Sequence, residues 1–379
     1  QAQLAKSEPR LELTVEGNEL KLDHANLDAC TVSYYPMDIE LLFSRQPFVQ
    51  QVGDQQVIVL RDEHGALQAF HNTCRHRGSV LLTETCGQLR GKSITCPYHA
   101  WSYSLQGDLK RTPSKFLQKD FDPSSKSLFS VAVQEWRGFV FINLDSDHAP
   151  AIETVMDGKG LAHKNWPAED LRVGHRFSKQ INCNWKIFWE NFSECLHCPG
   201  VHPELSRLVP LYKRSLMETR DDPNWKTNSV SQDPRYKAGL APDVESWTTD
   251  GKAVDTPFSA LIEADIERGH TYETLWPTMF LVGHVDHMRI VWLLPLGPET
   301  TQVHAEWLFR PETLATDDFN AAEVAAFATT VLEQDGMASE MNQRGLRSIR
   351  FQEGSLMAEE YEVYDFQQWV RTQWQRGAT

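Results

Sequence analysis

Two short segments of this chain carry the residue types that hold iron and sulfur. Cys74-Arg75-His76 and, after nineteen intervening residues, Cys96-Pro97-Tyr98-His99 supply two thiols and two imidazoles on two loops of similar form. Two Cys and two His match a [2Fe-2S] cluster in which His replaces Cys on one iron, an exchange that raises the reduction potential above that of an all-Cys cluster. Such a centre accepts an electron from a donor protein and passes it on. The same four residues also make tetrahedral zinc sites that only hold a small domain together. The context CRHRG and CPYHAW, with Arg75, Arg77, Gly78, Pro97, Tyr98 and Trp101, favours the cluster. Cys195-Leu196-His197 repeats the first half alone, with no Cys-x-x-His after it.

A second constellation lies in Glu194-Cys195-Leu196-His197-Cys198-Pro199-Gly200-Val201-His202. On a helix expected from Trp185 to Cys198, Glu194 and His197 are three apart and share a face. Pro199-Gly200 then ends that helix, and His202 returns from the following loop. Two imidazoles so placed suit one face of an octahedral iron, and an anionic third ligand would complete a facial triad. Asp335 is the leading candidate. It falls on the apolar stripe of a helix expected from about Asp318 to Gly345, together with Val324, Phe327, Ala328, Val331 and Ala338. A carboxylate buried there is costly unless a cation or hydrogen bonds compensate it. Other readings stand beside this one: Asp335 paired with Arg344 or Arg347, or Glu333 or Glu340 as the ligand on a rotated helix. Cys195 and Cys198 form a Cys-x-x-Cys with no second pair and are expected to serve as packing residues.

The elements that must position these groups suggest two units. Between about Gln55 and Leu144, short β runs (QVIVL, LQAFHN, SITCPYHAWSY, SVAVQEWRGFVFINL) alternate with turn residues, giving a small all-β domain with the ligands on its loop tips. DSDHAPAIE marks a boundary. Beyond it, LRVGHRFSKQINCN reads as a strand, residues from about Asp221 to Asp255 as an irregular segment, and TYETLWPTMFLVGHV, HMRIVWLLPLG and TQVHAEWLF as strands of an antiparallel sheet. The expected fold class is α+β. The expected divisions are an N-terminal segment over 1–45 that packs on the catalytic domain, a cluster domain over 46–150 and a catalytic domain over 151–379.

With 379 residues, 41% of them hydrophobic, the chain can bury two cores, and disorder is excluded. No stretch approaches the roughly 18 apolar residues that span a bilayer, and QAQLAKSEPR lacks the apolar core of a signal peptide, so a cytoplasmic location is expected. Seven Cys, an odd number, point to metal ligands and reduced thiols rather than a disulfide framework. A net charge of -15 disfavours nucleic acid and anionic membranes, while leaving a basic patch on a redox partner as a docking surface.

Over nearly its whole length, from the cluster motifs through NWKIFWENFSECLHCPGVH to EQDGMASEMNQRGLRS, the chain resembles the Rieske non-heme iron oxygenases, the terminal α subunits of ring-hydroxylating systems. The resemblance implies that Cys74, His76, Cys96 and His99 hold a Rieske [2Fe-2S] cluster. It also implies that His197, His202 and Asp335 hold a mononuclear Fe(II), in a catalytic domain whose antiparallel sheet wraps around helices as a helix-grip. It further implies a head-to-tail homotrimer in which Glu194, where the family usually has Asp, bridges the cluster of one subunit to the iron of the next. Glu at this position resembles the branch acting on quaternary ammonium compounds such as carnitine and glycine betaine. Between Tyr34-Tyr35 and Gln55 the chain looks shorter than the family pattern.

Dioxygen is the expected oxidant, with electrons arriving from the cluster. No Gly-x-Gly-x-x-Gly segment is present, so NAD(P)H oxidation is assigned to a separate flavin- or ferredoxin-type reductase. The substrate is expected to be a small betaine-like quaternary ammonium compound. Monooxygenation at an N-methyl carbon would release formaldehyde, and Phe188, Trp189, Phe192, Trp276 and Phe280 are the candidate aromatic cage. The same aromatics also read as core. Hydroxylation, dihydroxylation or O-demethylation of an aromatic acid is the alternative reaction, and a plain electron carrier the alternative class.

Overall fold

The computed structural model describes residues 10–16, 19–25, 41–43, 49–52, 55–84, 87, 89, 91–228, 230–231 and 233–377. Cys30, Cys86 and the Tyr34-Tyr35 region lie outside them, as does most of the segment expected to pack on the catalytic domain. The chain divides into two compact units. One comprises residues 1–37 and 369–379, where β1 (Arg10–Glu16) and β2 (Glu19–Ala25) form an antiparallel hairpin. The other comprises residues 38–368.

In the larger unit the expected short strands form three small antiparallel sheets. β3 (Leu41–Phe43) joins the pair β10 (Ala132–Trp136) and β11 (Phe139–Asn143); β4 (Val49–Val52), β5 (Gln55–Arg61) and β6 (Leu67–His71) form a meander; β7 (Ile94–Thr95), β8 (Ser102–Tyr103) and β9 (Leu109–Arg111) form the third sheet. The apolar runs bury as continuous stretches, because these strands are covered on both faces: Val57, Ile58, Val59 and Leu60 are all buried. Ile58, Leu60, Phe70, Leu81, Ile94 and Tyr103 form one core cluster with Cys74 and Cys96, the two cysteines expected as cluster ligands.

The catalytic region is built on a five-stranded antiparallel sheet in the order β12-β16-β15-β14-β13. Its strands are β12 (Arg172–Ile181), β13 (His270–Leu275), β14 (Met279–His284), β15 (Met288–Gly297) and β16 (Thr300–Phe309). All four expected strand segments are present. Every residue of β14 is buried, and at Gly283 a Cβ would stand 2.6 Å from the Trp166 indole nitrogen, so only glycine admits that ring. Helix α1 (Trp185–Phe192) packs against β15 and against the 26-residue helix α3 (Ala321–Leu346), which also lies on β12. The first core cluster joins Phe139 and Phe141 of β11 to Leu275, Met279, Leu281 and Ile290, so apolar packing runs across the boundary read at residue 150.

Three expectations need correction. The helix from Trp185 ends at Phe192 rather than Cys198; Ser193 caps it, and a separate four-residue helix, α2 (Cys198–Val201), starts after a turn, with Pro199 in its first positions. Cys195 and Cys198 are not simple packing thiols but are joined in a disulfide across that turn. A final helix, α4 (Tyr361–Gly377), follows where none was expected. No helix among the described residues is long and apolar enough to cross a membrane.

Candidate active site

The two cluster-motif loops share one backbone pattern. Cys74 N donates to Ser79 O and Gly78 N to Cys74 O; Cys96 N donates to Trp101 O and Ala100 N to Cys96 O, all between 2.8 and 3.0 Å. Gly78 and Ala100 occupy the same loop position, and both have positive φ, +73° and +53°. Left-handed backbone is costly for alanine and is retained only where its surroundings fix it, here by the turn that presents His99. His76 and His99 stand edge to face with ring centroids 4.7 Å apart, and Trp101 stacks on His76 at 4.8 Å. Burial, together with His99 and Arg77, pushes the His76 pKa down, favouring the neutral imidazole that a metal ligand must be.

Tyr103 ties the cluster loops to the sheet. Its hydroxyl accepts from Arg75 N at 3.1 Å and lies 3.2 Å from Cys74 Sγ, so it can donate its single proton to the sulfur when Cys74 is a deprotonated ligand. Burial and the Cys74 thiol push its pKa up from the ordinary phenol value, which keeps that proton in place. The two thiols and two imidazoles fit the two-iron cluster better than one zinc. Among the described residues, the group of three or more metal-ligating side chains that converges on a single point is His197, His202 and Asp335.

At that second centre the ligand atoms lie within 4.8 Å of one another. His197 is the residue before α2 and His202 the residue after it, so one short helical turn points both rings inward, 5.1 Å apart and inclined by 76°. Asp335, buried on α3, faces both: its Oδ1 is 2.8 Å from His202 Nε2 and 3.5 Å from His197 Nε2. Glu194 Oε1 holds His197 Nδ1 at 2.6 Å, and Gln334 Oε1 holds His202 Nδ1 at 2.8 Å. With each Nδ1 engaged by an acceptor, Nε2 is the nitrogen that faces the common point, and its lone pair becomes available to a metal once any proton there is displaced. Two imidazoles and one carboxylate suit ferrous iron with open positions.

Burial alone would raise the Asp335 pKa, but the two imidazoles outweigh it and bring it to about 2. Burial likewise opposes charge on His197, and Asp335 and Glu194 overcome it, raising its pKa to about 9. The alternative carboxylates are committed elsewhere: exposed Glu333 pairs with Lys179, and Glu340 accepts from the Asn182 backbone. Arg347 pairs with Glu299 rather than Asp335.

A small cavity of about 60 Å³ opens on the triad. Its wall is one cross-strand row of the sheet: Tyr272 on β13 pairs with Val282 on β14, which pairs with Arg289 on β15. Phe192, Tyr212 and Trp247 complete the aromatic lining. Of the five aromatics expected in a cage, only Phe192 reaches the cavity. Phe188, Trp189 and Phe280 are fully buried core side chains, with Trp189 and Phe280 stacked at 4.2 Å, and Trp276 stands beside Phe366 at 6.3 Å. Sequence reasoning also missed Gln334, Asn191, whose amide donates to Asp335 Oδ1 at 2.7 Å, and Arg289. Gln334 sits beside Asp335 in sequence, which was the available signal.

Comparison with known proteins agrees with this geometry. Residues 34–121 match the Rieske [2Fe-2S] domain, and residues 168–376 match the ring hydroxylating alpha subunit (catalytic domain). The chain is 29% identical over 340 residues to the glycine betaine monooxygenase oxygenase subunit of Chromohalobacter salexigens, covering 84% of this chain and 75% of that one. It is 29% identical over 327 residues to the carnitine monooxygenase oxygenase subunit of Acinetobacter baumannii, covering 84% and 80%. A solved quaternary ammonium Rieske monooxygenase, described for carnitine oxidation and inter-subunit electron transfer, shares the fold with a TM-score of 0.63 at 22% identity, over 89% of this chain and 88% of that one.

Proposed function

The chain belongs to the ring-hydroxylating oxygenase α-subunit family, and on that premise we propose that it is the terminal component of a system that hydroxylates an N-methyl carbon of a small quaternary ammonium compound. The observation that carries the reading is the cavity at the triad, whose lining includes four aromatic side chains, Phe192, Tyr212, Trp247 and Tyr272, suited to a desolvated cation. The glycine betaine and carnitine relatives support the same substrate class. When bound, ferrous iron on the triad supplies a site for dioxygen, and the cluster supplies an electron.

The chain's own residues hold the substrate, shape a water-poor cavity and fix both imidazole tautomers. One oxygen atom of O2 enters the methyl group; two electrons and two protons convert the other to water. The hydroxymethyl ammonium product then breaks its C–N bond, giving formaldehyde, a proton and the demethylated amine. Glu194, held against His197, is the proposed carboxylate through which an electron arrives from the cluster of a neighbouring subunit in a head-to-tail homotrimer. A separate NAD(P)H-dependent reductase is the proposed source of electrons. Residues 46–150 are assigned to the cluster and residues 151–379 to the iron.

Single turnover of chemically reduced, iron-loaded enzyme tests the reaction without a reductase. Betaines, carnitine, choline and aromatic acids are each supplied with oxygen, and formaldehyde and hydroxylated products are measured. Formaldehyde from a quaternary ammonium compound is expected; product from aromatic acids alone refutes the reading.

A further inference from the structure

Arg289 stands in the cavity wall and pairs with no carboxylate among the described residues. It is 2% exposed, and among the described residues its Nε and Nη1 meet no hydrogen-bond partner. The guanidinium lies over the Trp247 ring, 5.5 Å from its centroid. The carboxylate of Asp335 acts on it electrostatically, yet that carboxylate is engaged by His197, His202 and Asn191. Burial pulls its pKa down to about 10, partly offset by Asp335 and Tyr212, so the side chain remains charged near neutral pH. A buried cation with unused donors is among the costliest groups a fold can keep, and a guanidinium fork is shaped for a carboxylate.

We propose that Arg289 binds the carboxylate of the substrate, so that the enzyme selects zwitterionic quaternary ammonium acids over cations of the choline type; this rests on the reaction proposed above. Tyr272, Val282 and Arg289 form one row, which places the carboxylate anchor beside the aromatic rings available to the ammonium group. Choline presents no anion and brings a second positive charge to the buried guanidinium. A betaine brings both charges, each with a place to go.

Binding to iron-loaded, oxidised enzyme is measured by calorimetry with glycine betaine, carnitine and choline, for the native protein and for Arg289→Met and Arg289→Lys. Removing one partner of a buried charge pair is expected to weaken binding of the carboxylated compounds roughly 30-fold or more in Arg289→Met. Choline binding is expected to hold or improve, and Arg289→Lys should fall between. Because Met removes an unpaired buried charge while keeping volume, the melting temperature of the ligand-free variant should not fall. Unchanged binding of the carboxylated compounds in Arg289→Met overturns the proposal. So does an equal loss for all three compounds with a lowered melting temperature, which marks a structural role. If the native enzyme binds none of the three, the underlying reaction is refuted instead, and this choice of substrate falls with it.

Discussion

Gln334 controls which nitrogen of His202 carries the proton, and its removal should be felt at the iron site. His202 is buried, and its Nδ1 lies 2.8 Å from the Gln334 amide oxygen. The other end of that amide donates to Glu204 Oε2 at 3.3 Å, which fixes the orientation of the amide. In Gln334→Met the volume stays similar, but Nδ1–H loses its acceptor. An unsatisfied buried donor costs roughly 1–3 kcal/mol. The ring can escape by moving its proton to Nε2, which then donates to Asp335 Oδ1 at 2.8 Å and withdraws the lone pair that a metal needs. At about 1.4 kcal/mol per decade, the same cost corresponds to roughly a 5- to 150-fold loss of Fe(II) affinity, in line with the usual effect of a ligand's outer partner. Anaerobic competition with a calibrated chelator measures that affinity, with the visible spectrum of the cluster as an internal control. Glu204→Gln, which leaves the amide oxygen on His202, should remain near native. An unchanged iron affinity in Gln334→Met would refute this account of tautomer control.

Four further outcomes follow from the same geometry. Asp335→Ala should abolish iron binding at the triad and all oxygenation, with two cluster irons per chain and their spectrum retained; loss of the cluster as well would show the residue to be misplaced. Glu194→Gln should keep both metal centres while slowing reoxidation of the reduced cluster by substrate and oxygen, and unchanged single-turnover kinetics would exclude the bridge. Tyr103→Phe removes a hydrogen bond of about 1 kcal/mol to Cys74 sulfur, so the cluster potential should fall by roughly 40 mV in a redox titration; no shift would place the hydroxyl proton elsewhere. Burial, with Asp221, Glu218 and Asp365, lifts the Glu362 pKa from 4.5 to about 7, so the folded state binds the extra proton and stability falls as pH rises through that window. Glu362→Gln should therefore raise the melting temperature at pH above about 7 and leave it unchanged near pH 4.5; an equal effect at both contradicts the assignment.

The candidate ligand motifs were legible where their residues lie close in sequence, as in Cys74 to His76, Cys96 to His99 and His197 to His202, because spacing alone constrains geometry there. The local backbone was less so. Nothing in Ser193-Glu194-Cys195-Leu196-His197 is a glycine or proline, so a helix period runs through it on paper. In the fold, Ser193 turns its hydroxyl back to Trp189 O at 2.9 Å, and the Cys195–Cys198 disulfide closes the next turn. Glu194 and His197 still meet, because a tight turn brings residues three apart together as a helix does. The expected contact therefore survives although the helix does not. Asp335 was found by a different route, as a carboxylate out of place on an apolar stripe, and its burial between two imidazoles supplies the compensation that the stripe demanded.

The cavity was harder to read, for a reason that lies in the sheet. Strand alternation gives the face on which a side chain sits, and Phe280 and Val282, two apart on β14, share one. They belong to adjacent cross-strand rows: Thr274, Phe280 and Val291 in one, Tyr272, Val282 and Arg289 in the next. What separates core from cavity is how far the covering helix reaches. α1 stacks Trp189 on Phe280 at 4.2 Å and Phe192 on it at 3.9 Å, and then ends. The row beyond, roughly 7 Å along the strands, is left uncovered by α1 and faces the triad. Phe192 is the last helical residue and the only expected cage member to reach that space. Had α1 continued to Cys198, as its residue types allow, its next turn would lie over Tyr272 and Arg289. The early stop at Ser193 therefore both frees His197 to turn inward and opens the row in which a substrate's charges can be met.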